Sequence, residues 1–210
     1  MSASEEPRGE GERDEVAGDA TPQRPVAALH ETEADPTPLP PAAGLTVEQY
    51  AAGKQLDPAF LRGLGLTTIH IGGVPVVRVP YLGCDGELVA VRFRHWLDHG
   101  AGPKFTWKKG ATPQPYGQDR LADAREAGYL FLVEGESDAH TLWQHNAPAL
   151  GLPGARSWNE NRDAPLLDGI EQVFVVIEPD AGGNAVLQWL EHSAIRDRVQ
   201  IVSLSEQEDR

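Results

Sequence analysis

The chain has 210 residues, and its 32 acidic and 18 basic side chains give a formal net charge of −14 at pH 7. This length allows one or two domains, and the single cysteine, Cys84, excludes an internal disulfide and a cysteine-rich zinc site. The first residues lack the basic and apolar regions of a signal peptide, and no apolar run approaches the roughly 18 residues of a membrane span. We therefore expect a cytoplasmic protein that makes no membrane contact.

The amino-terminal segment, residues 1–43, is acidic and rich in proline. Residues 1–40 contain ten acidic side chains, three basic side chains and six prolines, without a periodic apolar pattern. Such a composition cannot bury enough apolar surface to offset the entropy lost on folding. The sequence therefore predicts a disordered acidic tail.

Two short helices are predicted directly after the tail. Thr46 is a suitable N-cap for a helix over Val47–Lys54, and Asp57 followed by Pro58 opens a second helix that we expect to end near Gly65. We interpret the pair as a helical packing unit. It begins the region that we assign as a small nucleic-acid-binding α+β domain, residues 44–127.

The rest of this region has the pattern of strands and carries basic side chains. Val74–Tyr81 and Glu87–Trp96 read as two strands joined by a tight turn at residues 83–86. Residues 104–109 then alternate basic and aromatic side chains, which suits single-stranded nucleic acid because cations contact phosphates while aromatic rings stack on bases. The alternative is a solvated strand whose aromatic side chains lie in the core. The candidate nucleic-acid-binding residues are Arg92, Arg94, Lys104, Phe105, Trp107, Lys108 and Lys109.

From residue 128 onward, strands alternate with helical patterns. The predicted strands are Tyr129–Val133, Ala149–Leu152, Val173–Ile177 and Val199–Leu204. Alternation of this kind predicts an α/β fold in which a small parallel sheet is flanked by helices. We assign residues 128–210 to this second domain.

Acidic side chains follow two of these strands directly. Glu134 comes after the first strand, and Glu178 and Asp180 come after the third. Because ligands bind at the carboxyl ends of the strands of such sheets, these carboxylates should gather at one edge, where a hard cation such as Mg²⁺ would neutralise them. The alternative is a set of solvent-exposed acids at helix N-termini, where negative charge is favoured anyway.

The two acidic segments together resemble the Toprim domain. Val133-Glu134-Gly135-Glu136-Ser137-Asp138 is similar to its first motif, and Glu178-Pro-Asp180-Ala-Gly-Gly183 is similar to its Asp-x-Asp-x-x-Gly motif, with Glu178 in place of the first Asp. Bacterial primases, type IA topoisomerases and related nucleases share this domain, and the resemblance covers about residues 128–204. The preceding basic segment is similar to the region before Toprim in primase-like proteins of phages and mobile elements.

The resemblance implies an active site. It makes Glu134 the general acid/base and a metal ligand, with Asp138, Glu178 and Asp180 as further ligands of Mg²⁺, or of Mn²⁺ as the alternative ion. It makes Gly135 and Gly183 the residues at which the chain turns tightly. No zinc is expected, because the Cys/His segment that precedes many bacterial primase cores is absent from this sequence.

The predicted function is Mg²⁺-dependent synthesis of short primers on single-stranded DNA during DNA replication, by a primase-like nucleotidyltransferase of a mobile element. Single-stranded DNA and nucleotides are the expected partners, together with a replicative helicase. Two alternatives remain open: a non-catalytic Toprim module that binds nucleic acid or a helicase, and a Toprim nuclease. The later acidic element and closing helix of the family are not expected in residues 128–210.

Overall fold

The computed structural model describes residues 44–98, 100 and 102–203. The predicted acidic tail, and Leu204 with the residues that follow it, lie outside the described residues. Everything described belongs to one compact unit. Its strands form two four-stranded sheets.

The two predicted helices are confirmed. In α1 (Val47–Lys54), the Thr46 hydroxyl accepts the Gln49 N–H at 3.2 Å, and the Gln49 side chain accepts the Thr46 N–H in return. Asp57 caps α2 (Pro58–Gly63) by accepting the Ala59 N–H at 2.8 Å. These capping bonds satisfy backbone donors that have no partner inside a helix.

The first sheet is antiparallel. Its strands follow one another in the order of the chain: β1 (Thr67–Ile71), β2 (Val74–Leu82), β3 (Leu88–Arg94) and β4 (Phe105–Trp107). The predicted hairpin is thus present as β2 and β3, although β3 ends two residues before Trp96. Our prediction omitted β1, an edge strand of five residues in which only Ile69 and Ile71 are apolar, too few to stand out as a strand pattern.

The second sheet is parallel, as predicted. Its order is β6–β5–β7–β8, built from β5 (Tyr129–Val133), β6 (Ala149–Gly151), β7 (Gln172–Ile177) and β8 (Val199–Ser203). The flanking helices are α3 (Leu121–Ala127), α4 (Glu136–Gln144), α5 (Glu160–Asp163) and α6 (Ala181–Leu190). A mixed α/β fold with a helix-flanked parallel sheet is therefore established.

Two apolar cores hold these layers together. Leu130 and Leu132 of β5 point into a core that includes residues of α3 and α6. The other core contains Tyr50 of α1, Tyr81 of β2 and Trp143 of α4, and so joins the first sheet to the second. Burial of each such side chain contributes roughly 1.5–3 kcal/mol. The boundary that we predicted between residues 127 and 128 falls between α3 and β5, and it stays a prediction.

Within the ranges that the structure describes, no helix is long and apolar enough to cross a membrane.

Candidate active site

Four acidic side chains follow the carboxyl ends of two neighbouring strands. β5 and β7 pair in parallel, so the chain leaves both strands at the same edge of the sheet. Glu134 follows β5, and Asp138 lies in the first turn of α4. Glu178 follows β7, and Asp180 caps α6 by accepting the Gly183 N–H at 2.9 Å. All four predicted metal ligands therefore lie at one edge of the parallel sheet.

The carboxylates of Glu134 and Asp180 converge on Gly182. A Cβ atom placed on Gly182 would lie 3.0 Å from Oε2 of Glu134 and 3.1 Å from Oδ1 of Asp180. The other Glu134 oxygen, Oε1, is buried and has no hydrogen-bond partner among the described residues. The two carboxylates thus lie close together at Gly182, and Oε1 of Glu134 can still accept a hydrogen bond or bind a cation.

The acids at this edge disfavour each other's ionisation. Burial, followed by the charges of Asp180, Glu178 and Asp138, raises the pKa of Glu134 above its ordinary value. Burial, followed by the charge of Glu178, raises the pKa of Asp138, and the nearby Lys54 opposes that rise. Groups that repel in this way are stabilised by a bound cation.

The spacing and the oxygen chemistry of the acidic set decide how it fits a metal ion. Within the described ranges, no three His, Cys, Asp or Glu side chains lie close enough together to enclose one. The oxygen chemistry and the unpartnered Oε1 of Glu134 nevertheless fit a hard divalent cation bound by a few carboxylates and water, as Mg²⁺ usually is. Glu178 is exposed and lines the cleft described below.

Two glycines shape the turns that follow β5 and β7. Gly135 has φ 146°, a backbone conformation that L side chains rarely adopt. A Cβ atom on Gly183 would lie 2.1 Å from the carbonyl oxygen of Glu178, so only glycine fits there without movement of the backbone. Gly183 thereby lets α6 begin directly beside the acidic edge.

A cleft of about 260 Å³ separates the acidic edge from a basic wall. The acidic side includes Glu134, Asp138 and Glu178, and the loop after β6 adds Pro153 and Gly154. The opposite wall comes from α1, β3 and the start of β4. It consists of Lys54, Arg92, Arg94, Lys104 and Phe105.

Arg92, one of the predicted nucleic-acid-binding residues, forms a buried ion pair. Its Nη1 donates to Oε1 of Glu136 at 2.9 Å, its Nη2 donates to the Pro153 carbonyl at 3.2 Å, and its guanidinium lies 4.1 Å from the centre of the Phe105 ring. The Tyr81 hydroxyl donates to the same Glu136 oxygen at 2.5 Å. Arg92 therefore connects β3 to α4 through contacts within the protein.

The other predicted nucleic-acid-binding residues differ in their surroundings. Arg94 is buried and donates to the carbonyls of Trp96 and Leu97 at 3.1 and 2.6 Å. Lys108 and Lys109 are exposed beyond the cleft.

The aromatic pair of β4 is half buried. The Trp107 ring packs edge-on against Tyr81 at 4.9 Å, and the Phe105 ring carries Arg92 on its face. Both rings thus make intramolecular contacts, as the alternative interpretation of this segment expects, while Phe105 also lines the cleft. The nucleic-acid-binding roles stay predictions.

Comparison with known proteins identifies the fold that carries this site. No family model matches the chain. The gene 57 protein of Mycobacterium phage D29 is 31% identical over 97 residues, which are 46% of this chain and 60% of that protein.

Similar solved structures are primases. The Aquifex aeolicus primase (zinc-binding and RNA polymerase domains) matches 77% of this chain and 50% of its own, with a TM-score of 0.61 and 17% identity. The primase fragment of the bacteriophage T7 primase-helicase matches 72% and 62%, with a TM-score of 0.57 and 16% identity. The RNA polymerase domain of Mycobacterium tuberculosis DnaG in complex with double-stranded DNA matches 77% and 66%, with a TM-score of 0.61 and 14% identity. The chain has the fold of a primase catalytic core. It spans between half and two thirds of the length of these proteins.

Within this primase-core fold, sequence reasoning missed two buried residues of α4. Glu136 is 3% exposed and holds Arg92, and His140 is fully buried between the hydroxyls of Tyr50 and Tyr116, each 2.9 Å from a ring nitrogen. From the sequence alone, helix capping explains Glu136 adequately and His140 has no assigned role. The sequence carries one signal for their burial. Glu136, His140 and Trp143 occupy positions i, i+4 and i+7, which share one face of a helix.

Proposed function

We propose that this chain is a primase-like Toprim protein that joins nucleotides into short primers on single-stranded DNA, in the replication of a phage or another mobile element. The observation that carries the proposal is the meeting of three of these carboxylates, Glu134, Asp138 and Glu178, with a wall of cations across one cleft, on a primase-core fold. The phage origin of the 31% identical relative supports the mobile-element part of the proposal.

In this proposal Glu134, Asp138, Glu178 and Asp180 hold Mg²⁺, or Mn²⁺ in its place. Such an ion would stabilise the charge that develops on the transferring phosphoryl group. Glu134 would also accept the proton of the primer 3′-hydroxyl.

The region at residues 44–127 would position the nucleic acid. We propose that Lys104, Lys108 and Lys109 contact phosphates, while Phe105 and Trp107 support the strand that bears them. Arg94, which donates only to backbone carbonyls, would add to the positive potential of the cleft, and Arg92 would hold β3 against α4 through Glu136. The likeness to the primase fragment of a primase-helicase makes a replicative helicase the proposed protein partner.

Primer synthesis on a single-stranded template, with and without Mg²⁺, tests the proposal. Glu134→Gln should lower the rate by at least about 100-fold, the usual contribution of a general acid or base. Without divalent metal, the midpoint of its thermal unfolding should not fall, because a carboxyl with a raised pKa destabilises the folded state when it is ionised. Asp197→Asn, a charge-matched change at an exposed residue away from the cleft, should leave the rate unchanged.

The same reactions separate the alternatives. Wild-type protein that makes no primer with Mg²⁺ or Mn²⁺ contradicts the primase proposal, and a nicked template in place of a primer would identify a nuclease.

The second candidate is a non-catalytic binding module. The absence of a metal-enclosing group of three ligands among the described residues favours it, as does Glu178 in place of Asp. Metal binding measured by titration calorimetry, and lost in Glu178→Gln/Asp180→Asn, would count against that candidate.

A further inference from the structure

The loop that follows β6 forms part of the cleft wall on the acidic side. It comprises residues 152–159, and we call it the β6 loop. Its residues Pro153 and Gly154 line the cleft. Gly154 has φ 141°, and among the described residues beyond its neighbours none places an atom within 4 Å of the position of a Cβ atom there. A ligand in the cleft can therefore approach the backbone at Gly154 closely, because no side chain intervenes.

The β6 loop has little structure of its own to hold this shape. Among residues 153–158 the structure shows a single internal backbone hydrogen bond, which the Ser157 N–H donates to the Gly154 carbonyl at 2.9 Å. At the start of the loop, the Pro153 carbonyl accepts from Nη2 of Arg92. A segment with so few internal contacts opens easily unless neighbouring elements hold it. Its conformation therefore depends on contacts with the rest of the molecule.

Trp189, near the end of α6, holds the middle of the β6 loop. Its indole N–H donates to the Ala155 carbonyl at 3.1 Å, and its ring stacks on that of Trp158, with the ring centres 4.5 Å apart and the planes at 13°. The Trp158 N–H donates to Oε2 of Glu160 at 2.8 Å, and Oε1 of Glu160 accepts the Ala194 N–H at 2.8 Å. The loop is thus fastened to α6 and to the segment that follows this helix.

The helix α6 thereby carries both an acidic side chain and the anchor of the β6 loop. Asp180 caps its first turn, and Trp189 lies in its last turn. Between them, Val186 and Leu190 are buried in the core of the parallel sheet. A helix held in this way fixes the acidic edge and the β6 loop relative to one another.

We propose that Trp189 is a positioning residue that keeps the β6 loop in the conformation that binds single-stranded DNA in the cleft. This inference rests on the proposed function, for which it names a residue that sets the affinity for the template without lining the cleft. A loop that is already ordered loses little conformational entropy when its ligand binds, so an anchored loop binds more tightly than a loose one. Trp189 acts through Pro153 and Gly154.

Equilibrium binding and limited proteolysis test the proposal without turnover. The affinity of the full chain for a labelled oligo(dT) is measured for wild type, Trp189→Leu and Trp189→Phe. Trp189→Leu should bind about tenfold more weakly, a factor that corresponds to ordering the backbone of about one loop residue. Trypsin should also cut this variant faster after Arg156, which is exposed in the loop, and saturating oligo(dT) should slow that cleavage. Trp189→Phe keeps a ring for the stack but lacks the indole N–H, so it should lie between wild type and Trp189→Leu.

Val173→Ala is the control for a general loss of stability. Val173 is buried in the core near the start of β7, at the opposite end of this strand from the acidic edge. Its variant should unfold at a lower temperature, yet at a temperature where it is folded it should match wild type in oligo(dT) affinity and in cleavage after Arg156. An unchanged affinity in Trp189→Leu overturns the proposal, and so does an equal loss of affinity in Val173→Ala.

The kinetics of primer synthesis separate positioning from a purely structural role. In Trp189→Leu the KM for the template should rise while kcat holds, because the β6 loop carries none of the acidic side chains. A purely structural role would lower the fraction of active protein, and so kcat, at an unchanged KM, which would overturn the proposal. Wild-type protein that shows the Trp189 effect on DNA affinity but makes no primer would contradict the proposed function and leave this inference standing.

Discussion

His140 shows how much one buried side chain contributes to the geometry of the cleft. The ring lies between two tyrosine hydroxyls, and in its neutral form it donates to one and accepts from the other. Burial, followed by the charges of Arg94 and Arg120, lowers the pKa of His140 to about 3. A protonated ring would be a donor at both nitrogens inside an apolar core, so the fold favours the neutral form.

This lowered pKa makes stability depend on pH in a defined window. The unfolded chain binds a proton at this histidine below its ordinary pKa of 6.5, and the folded chain does so only near 3. The contribution of His140 is therefore fully present above pH 6.5 and is lost as the pH falls toward 3, by about 1 kcal/mol per pH unit. Urea unfolding across this range should show that slope in wild type.

A variant isolates this contribution from that of the carboxyl groups. His140→Gln should be less stable than wild type at neutral pH, and the difference should shrink as the pH falls, because the variant lacks the titrating group. His192→Gln, at an exposed position, should follow the wild-type curve. A constant difference between wild type and His140→Gln at every pH would show that the ring does not titrate as inferred.

At the scale of the element, the ends of the strands could be predicted from the sequence, whereas the side-chain contacts across the cleft could not. Tyr129–Val133 is an apolar run of strand length followed by an acid, so both the strand and the position of Glu134 follow from local pattern. The contact between Tyr50 and His140 joins residues 90 positions apart. No local period encodes such a contact, so the hydrogen-bond partners of His140 emerged only from the packed structure.

The first turn of α6 offers a direct test of how an element positions the acidic edge. In Gly183→Ala the new methyl group would meet the backbone carbonyl of Glu178, which cannot move away as a flexible side chain could. We expect a loss of about 1–3 kcal/mol in the free energy of unfolding, because the turn that carries Asp180 must shift. Primer synthesis should fall as well.

Gly63→Ala is the matched control for this substitution. Gly63 is the last residue of α2, and a Cβ atom there would have no neighbour within 4 Å. Alanine should therefore stabilise the protein slightly, by up to about 1 kcal/mol, because it restricts the unfolded chain and favours the helix. Opposite signs for the two glycine variants in chemical denaturation would support the steric argument, and equal losses would contradict it.

At the scale of the whole molecule, the cleft exists because the two sheets are held against each other. The ion pair between Arg92 of β3 and Glu136 of α4 crosses this junction, with side chains 11% and 4% exposed. The Tyr81 hydroxyl of β2, which donates to Glu136, adds a second polar link, and the shared apolar core surrounds both. Because these contacts belong to one packed unit, we expect a single cooperative unfolding transition.

A double-mutant cycle on this ion pair tests that view. Arg92→Met or Glu136→Gln alone should cost about 3–5 kcal/mol, because each leaves a buried polar partner without its counterpart. The double variant should lose less than the sum of the two, since neither partner is then left alone. Arg62→Met, which breaks the exposed pair with Glu48, should change stability little. If the losses in the free energy of unfolding are additive, or if two separate unfolding transitions are seen, the pair does not hold the walls of the cleft together. The cations and carboxylates would then owe their placement to the apolar core alone.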